Sequence, residues 1–536
     1  RRPVRWGILS PLGNVEGRCV PGGIQDIVIL GGGTAGWLTA AVLAADHEAA
    51  APGGVRITLV ESPDVRTVGV GEGTWPTMRD TLRRTGVSET DFLRECDAAF
   101  KQGSKFVRWR DGRDEDSYYH PFVLPQGFLD ANLVAGWLAH QDVPFGKLVS
   151  FQPHLCDAGK APKQFSTPEW AAVANYAYHL DAGKLGEFMR RHCVGTLGVR
   201  HVPDHVVGIE SHDNGDIAAL RTREQGAIAG DLFIDCSGAR ALLLGQYYGI
   251  GQVPLAHVLF NDRAIAAQVP YADPSAEIAC QTISTAHGNG WIWDIGLQSR
   301  RGVGVVYSSA HTSDEAAADE LHRHILATGG REQDIGALPK IAIQPGYRKT
   351  FWHRNCVAVG LSSGFMEPLE ASSLVLVELA AGMISDQLPA TREAMDIVAT
   401  RFNEAFLYRF GRVVDFLKLH YVLSRRADTD YWRDNHRAES IPERLQEQLS
   451  LWRHQPPSRY DLPRVEEVFP SASYQYILYG MGFRPEPRPT ARHADDVRRA
   501  EGHFQEAADL ARRMLAALPG HREMLEHVRT RGMPRI

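Results

Sequence analysis

The sequence predicts an α/β fold: a doubly wound sheet interleaved with an antiparallel sheet, followed by a mostly helical C-terminal region. Three observations carry this prediction. An apolar run, Ile27-Val28-Ile29-Leu30, meets a GxGxxG turn at Gly31, Gly33 and Gly36. Two further apolar strands run into glycine turns, at 231–238 and 355–364. Between them, residues 256–310 alternate apolar and polar with the two-residue period of an antiparallel sheet.

The first strand–glycine segment reads as a dinucleotide site. Its strand is buried, and 38–45 reads as the helix after the turn. The glycines let backbone approach a pyrophosphate, and the helix N-terminus supplies amide donors and positive dipole charge. Ile57-Thr58-Leu59-Val60 reads as a second strand ending in Glu61, whose carboxylate can accept hydrogen bonds from a ribose. The distance from Gly31 to Glu61 exceeds the usual NAD spacing of about 20 residues, which points to FAD. A single-cofactor NAD unit does not need the two later strand–glycine segments. A two-domain flavoprotein of the monooxygenase-like type does.

The remaining elements follow in order. Residues 78–100 read as helical with a break near Gly86, and Ser88 as the N-cap of the second part. Aromatics, Pro and Gly make 106–170 a region of loops and short strands suited to pocket walls. Within it, Tyr118-Tyr119-His120-Pro121-Phe122 either lines an aromatic pocket or packs in an irregular loop. Residues 178–192 read as a helix, and 199–222 as strands with turns at Asp204 and Asn214-Gly215. Cys356-Val357-Ala358-Val359-Gly360 reads as a buried strand, followed by a helix over about 372–387. From Thr391 the chain reads as mostly helical, with a linker-like break at 485–489. The expected organisation is an N-terminal extension (1–23) outside the fold and an FAD-binding domain interleaved with an antiparallel-sheet substrate domain (24–390). A helical region (391–536) completes the substrate pocket.

Composition narrows the function classes. A net charge of -6 over 536 residues, with no long basic run, argues against a nucleic-acid binder. Cys19, Cys96, Cys156, Cys193, Cys236, Cys280 and Cys356 lie far apart with no CxxC pair, which fits reduced cytoplasmic thiols. No segment is long and apolar enough to span a membrane. No HExxH or CxxH cluster appears and no GxSxG or Cys-His arrangement stands out, so neither a metal site nor a serine nucleophile is expected.

Several motifs together resemble the flavin-dependent tryptophan halogenases, over about residues 26–515. They are GGGTAGW at 31–37, VGVGEGT at 68–74, YAYHLDAGKLGEFMRR at 176–191, DLFIDCSG at 231–238 and HYVLSRRADTDYW at 420–432. Trp291-Ile292-Trp293-Asp294-Ile295-Gly296 is similar to the family's WxWxIP signature, with Gly296 in place of proline. Gly364-Phe365-Met366-Glu367-Pro368-Leu369-Glu370 is similar to its GFVEPLE segment.

The resemblance implies an enzyme that takes FADH2 from a separate NAD(P)H-dependent flavin reductase. Oxygen and chloride or bromide then yield hypohalous acid, which passes through a tunnel to an aromatic, indole-like substrate. By the same resemblance, amides of Thr34, Ala35 and Gly36 contact the FAD diphosphate and Glu61 holds the adenosine ribose. Val202 lies near the adenine end, and Leu361 and Leu374 touch the flavin ring. Ser372 and Ser373 replace the family's usual Thr-Gly, whose amides hold halide. Trp291 and Trp293 guard the tunnel; packing in a half-buried strand is the alternative. Glu370 matches a carboxylate that polarises the oxidant or stabilises charge developing on the ring; the alternative is an acid answering a helix dipole.

Two departures bear on function. A gapless count from Gly71-Glu72-Gly73-Thr74 puts Asp80 at the family's catalytic lysine position, with Arg79 beside it. An ionised Asp cannot donate a hydrogen bond to hypohalous acid. Lys101 and Lys105 lie in a later segment and are assigned to other positions. At the substrate end Phe469 survives from an aromatic clamp, but Pro470 follows it and Tyr474 and Tyr476 are not adjacent. Free tryptophan is therefore not the expected substrate. An FADH2-dependent aromatic monooxygenase, or a flavin-binding homologue without halogenase activity, stays open as an alternative. A homodimer is allowed.

Overall fold

The run at 27–30 forms the strand Asp26–Leu30, buried over Ile27 to Leu30. In the computed structural model, which describes residues 23–65, 71–140, 142–486 and 491–535, this strand sits inside a six-stranded sheet. The order is Trp352–His353, Cys356–Ala358, Leu232–Asp235, Asp26–Leu30, Arg56–Glu61, Arg200–Pro203. All neighbours are parallel except the outermost antiparallel pair at Trp352–His353. The three strand–glycine segments of the sequence are thus three adjacent strands, and their turns come together at one edge. Parallel strands are buried on both faces, which explains their unbroken apolar runs. Helices Thr34–Asp46 and Ser372–Asp386 pack against each other beside this sheet.

The antiparallel region is a seven-stranded sheet. Its order is Lys340–Ala342, Arg263–Pro270, Arg300–Tyr307, Gly290–Gly296, Thr282–His287, Gly103–Val107, Ser117–Pro121. Only the pair Thr282–His287 and Gly103–Val107 is parallel. A small antiparallel sheet, Gly71–Gly73, Ala177–Asp181 and Ala99–Lys101, lies against it. A Cβ at Gly71 would stand 3.4 Å from the Gly302 Cα, so two glycine backbones meet where the sheets touch.

The structure corrects three local readings. Residues 78–100 divide into helices Thr77–Arg84 and Glu89–Glu95 and the strand Ala99–Lys101. Ser88 does cap the second helix, accepting from the Asp91 amide. The helix then stops because Asp97 takes a left-handed φ of 51° and turns the chain into the strand. Residues 177–181 are strand, and the helix is Ala182–Gly195, capped by Asp181 accepting from the Lys184 amide. The aromatic region contains the regular strand Ser117–Pro121 and short helices Leu133–Trp137, Phe145–Val149 and Gln152–Asp157. Of the expected extension at 1–23, only Gly23 is described, and residues 68–70 and 487–489 of the motifs named above lie outside the described residues.

After residue 391 the described residues are mostly helical, with irregular stretches such as 455–470 between the helices. The helix Arg392–Val422 begins at Thr391, whose side chain accepts from the Ala394 amide. Its 31 residues reach about 46 Å. The helix His521–Arg531 returns to the middle of the molecule. There the fully buried His521 receives the Phe100 amide on Nε2 at 3.2 Å and donates from Nδ1 to the Ile278 carbonyl at 2.9 Å. Close by, Lys163 Nζ donates to Glu89 at 2.7 Å, with both side chains fully enclosed. Glu89 also accepts from the hydroxyls of Tyr176 and Tyr178. Among the described residues, no helix is long and apolar enough to cross a membrane.

Candidate active site

The first feature is the glycine turn. Gly31 has φ +117°, and a Cβ there would lie 2.2 Å from the Cys236 carbonyl oxygen on the neighbouring strand. A Cβ on Gly36 would lie 1.9 Å from the Gly31 oxygen. These two glycines are required by close packing. Gly33 is different: it caps the helix Thr34–Asp46 without a side-chain hydrogen bond, and nothing lies within 4 Å of its would-be Cβ. The amides of the first turn, at Thr34, Ala35 and Gly36, therefore have no capping side chain, as a bound anion requires. Glu61 ends its strand with its carboxylate against Gly32 and in contact with His201 at 3.0 Å. Burial raises the Glu61 pKa, with His201 opposing. A dinucleotide fits this cradle.

Three other residues are expected at the cofactor: Leu361, Leu374 and Val202. The turn Gly360–Ser362 approaches Ala35, since a Cβ on Gly360 would come within 2.7 Å of the Ala35 Cβ. Leu361, 44% exposed, stands there as an uncovered apolar side chain. Leu374 and Val202 are buried; Val202 packs with Val28, Leu30, Val60 and Phe233 in the core.

The second feature is a pair of buried charges. Glu370 and Ala371 both take left-handed backbone, φ 62° and 52°, immediately before the helix Ser372–Asp386. Non-glycine residues rarely adopt this conformation, and it is held only where surroundings enforce it. Trp75 contributes: its Nε1 donates to the Glu370 carbonyl at 2.8 Å. The Glu370 carboxylate accepts from His120 Nδ1 at 2.7 Å, and His420 Nε2 stands 3.4 Å away. Tyr118 contacts the other nitrogen of His420 at 2.7 Å. Burial alone would raise the Glu370 pKa, but the charge and hydrogen bond of His120, with His420, outweigh it and hold it at about 2.

Opposite lies Lys101, at the end of the strand Ala99–Lys101 and 1% exposed. Its Nζ donates to the Thr74 carbonyl at 3.3 Å and stands 5.3 Å from the centre of the Phe122 ring. Gly73 separates it from Ala371: a Cβ there would lie 3.1 Å from Lys101 Nζ and 3.5 Å from the Ala371 Cβ. Burial pulls the Lys101 pKa down to about 8, with Glu370 opposing.

Beside this pair opens a cavity of about 380 Å³, lined by Trp75, His120, Phe122, Val375, Val468 and Tyr476 among others. A much smaller cavity, about 10 Å³, is lined by Ser372, Ser373, Gly364 and Glu367. Glu367 is buried and accepts from Asn261, Tyr421 and Trp291 Nε1, the last at 3.1 Å. Trp293, 6.4 Å from Trp291 between ring centres, lies over Gly304, where any Cβ would meet its ring at 2.1 Å.

The family model described as tryptophan halogenase matches residues 26–496. The chain belongs to the tryptophan halogenase family. Among relatives, it is 33% identical to the 7-chloro-L-tryptophan 6-halogenase of Kutzneria sp. (strain 744), covering 94% of this chain and 99% of that one. The crystal structure of a tryptophan halogenase from Shewanella frigidimarina NCIMB 400 superposes with a TM-score of 0.92 at 46% identity, over 96% of this chain and 99% of that one. BrvH, a flavin-dependent halogenase from Brevundimonas sp. BAL3, superposes at 0.82 with 33% identity, over 94% and 99%. The chain is thus a flavin-dependent oxidoreductase of the halogenase family, and the glycine cradle fits FAD.

Within this family frame, the assignment of Asp80 is overturned. Asp80 sits in the first turn of Thr77–Arg84, its side chain 75% exposed and paired with Arg83 at 3.0 Å. It takes no part in the buried centre. The gapless count ran along this surface helix. The chain instead passes through two helices before re-entering the site at Ala99–Lys101, so the buried amine is Lys101. Lys105 lies on the partly exposed rim, paired with Asp157 at 3.1 Å. Sequence reasoning also missed His420 and Trp75 as parts of the centre, and left Tyr118 and His120 between a pocket wall and loop packing. The available signal for Lys101 was a lone lysine closing the apolar run Ala98-Ala99-Phe100.

Proposed function

We propose that this chain halogenates a compact aromatic, indole-like substrate, using FADH2 from a separate reductase, oxygen, and chloride or bromide. The observation that carries the proposal is that buried Lys101 and Glu370 stand directly behind Trp75, His120 and Phe122, which line the cavity. When bound, the reduced flavin supplies the two electrons that let oxygen oxidise halide to hypohalous acid.

The chain's own residues supply the rest. Amides of Thr34, Ala35 and Gly36 hold the diphosphate, and Glu61 the ribose. The Arg200–Pro203 strand with Val202 flanks the adenine end, and Leu361 and Leu374 flank the ring. Halide is held by the amides of Ser372 and Ser373, at the uncapped N-terminus of a 15-residue helix. Trp291, fixed by Glu367, and Trp293 narrow the route from the cofactor edge and keep water out. Lys101, still protonated below pH 8, donates a hydrogen bond to hypohalous acid and fixes its halogen towards the cavity. The substrate ring lies against His120 and Phe122. Glu370 remains ionised and stabilises the positive charge that develops on the ring as the carbon–halogen bond forms and the oxygen–halogen bond breaks, releasing hydroxide; the ring proton then leaves to that hydroxide, giving water and the aryl halide.

An aerobic assay with FAD, a flavin reductase, NADH, bromide and indole, read by mass spectrometry, tests this. Bromoindole is expected. A hydroxylated product, or none despite flavin turnover, overturns the proposal in favour of a monooxygenase or an inactive homologue.

A further inference from the structure

We propose that Trp75 determines specificity in the cavity, by filling the space beside Glu370 and Lys101 that a bulky substituent on a bicyclic ring would enter. This deepens the halogenase reading and rests on it for the chemistry. The size limit itself comes from the cavity walls.

Trp75 follows Thr74, whose carbonyl receives the Lys101 ammonium. Its indole nitrogen is tied to the Glu370 carbonyl. Its ring is packed on three sides: 5.7 Å from His120, 5.4 Å from Phe122 and 5.2 Å from Phe469, between ring centres. Phe469 is in turn stacked on Phe416 at 3.8 Å with a 12° interplanar angle. Val468 and Pro470 line the cavity, whereas Phe469 turns inward onto Trp75. The protein's own indole thus fills space inside an aromatic enclosure, at the wall nearest the Glu370 and Lys101 pair. The cavity that remains, about 380 Å³, is at the low end of the ~300–1,000 Å³ typical of small-molecule sites.

Because the ring is pinned by a hydrogen bond at one edge and by aromatic neighbours on three sides, it cannot swing aside for a larger guest. The limit is therefore a property of this side chain. A smaller residue at 75 joins the enclosed space to the cavity without touching Lys101 or the glycine cradle.

The test compares wild type with Trp75→Ala, Trp75→Leu and Trp75→Phe, using indole and 5-benzyloxyindole as probes. Binding is read by calorimetry and products by mass spectrometry. Trp75→Ala is expected to raise the preference for 5-benzyloxyindole over indole by at least about tenfold, a discrimination typical of a reshaped apolar pocket. Trp75→Leu carries the same expectation if the alanine variant does not fold. Trp75→Phe keeps most of the ring but loses the N–H, and should stay within about threefold of the wild-type ratio. An unchanged ratio in a folded alanine or leucine variant overturns the proposal. So does an equal shift in the phenylalanine variant, which would assign the effect to the bond on Glu370. If no protein forms a halogenated product, the halogenase reading fails while the calorimetric ratio still decides the role of Trp75.

Discussion

Replacing Lys101 with methionine should remove activity and at the same time stabilise the folded chain. The ammonium is fully buried, and its pKa falls from the ordinary 10.5 to about 8. That shift corresponds to about 3 kcal/mol held against the charged form. The sign follows from linkage. Below pH 8 both folded and unfolded chains carry the charge, so the full penalty acts. Between 8 and 10.5 the folded chain has lost its proton and the unfolded chain has not, so the penalty shrinks as pH rises; above 10.5 it is gone. Methionine fills similar volume without charge. Denaturant unfolding at pH 7 should therefore show a gain of up to about 3 kcal/mol that fades towards pH 10. Bromination of indole, with reductase in excess, should fall by about 10²–10⁴ in the variant. In wild type the rate should fall about tenfold per pH unit above 8, because the ammonium is the donor. A variant that keeps more than a tenth of wild-type activity, or a wild-type rate that climbs through pH 8, would refute the donor role.

Three further outcomes are expected. Glu370→Gln should lower bromination by about 10²–10³, the scale for losing one preorganised electrostatic group, while flavin fluorescence shows unchanged FAD binding. Gly33→Ala should fold with an unaltered melting temperature, because nothing stands within 4 Å of the added methyl; FAD should nonetheless bind at least about tenfold more weakly, because the methyl enters the space over the first-turn amides. Lys163→Met should lower stability by about 3–5 kcal/mol in denaturant unfolding, because Glu89 is left charged and enclosed without its cation.

Much of the fold was legible in the sequence because its signals are local. The unbroken apolar runs at 27–30, 232–234 and 356–359 required strands buried on both faces, and each ran into a glycine turn. Only the structure shows that they are neighbours, with Gly31 packed on Cys236 and Gly360 on Ala35. The stretch at 96–100 reads as helix because helix propensity does not mark where a helix must yield to pairing with a distant strand. Phe100 pairs with Tyr178, 78 positions later, and that non-local pairing sets Lys101. His120, His420 and Glu370 come from three distant segments, and no spacing rule links them. The ambiguity over 118–122 was resolved by the edge strand Ser117–Pro121, whose register directs His120 inward.

The buried contact of His521 with the Phe100 amide has a consequence for the order of events during synthesis. The glycine cradle uses residues from the first four hundred positions. The strand carrying Lys101 gains its last polar partner only when His521 emerges. Until then the Phe100 amide, beside Lys101, lacks the His521 nitrogen that receives it. Removing the final helix would therefore leave the buried Phe100 amide, next to Lys101, without its acceptor.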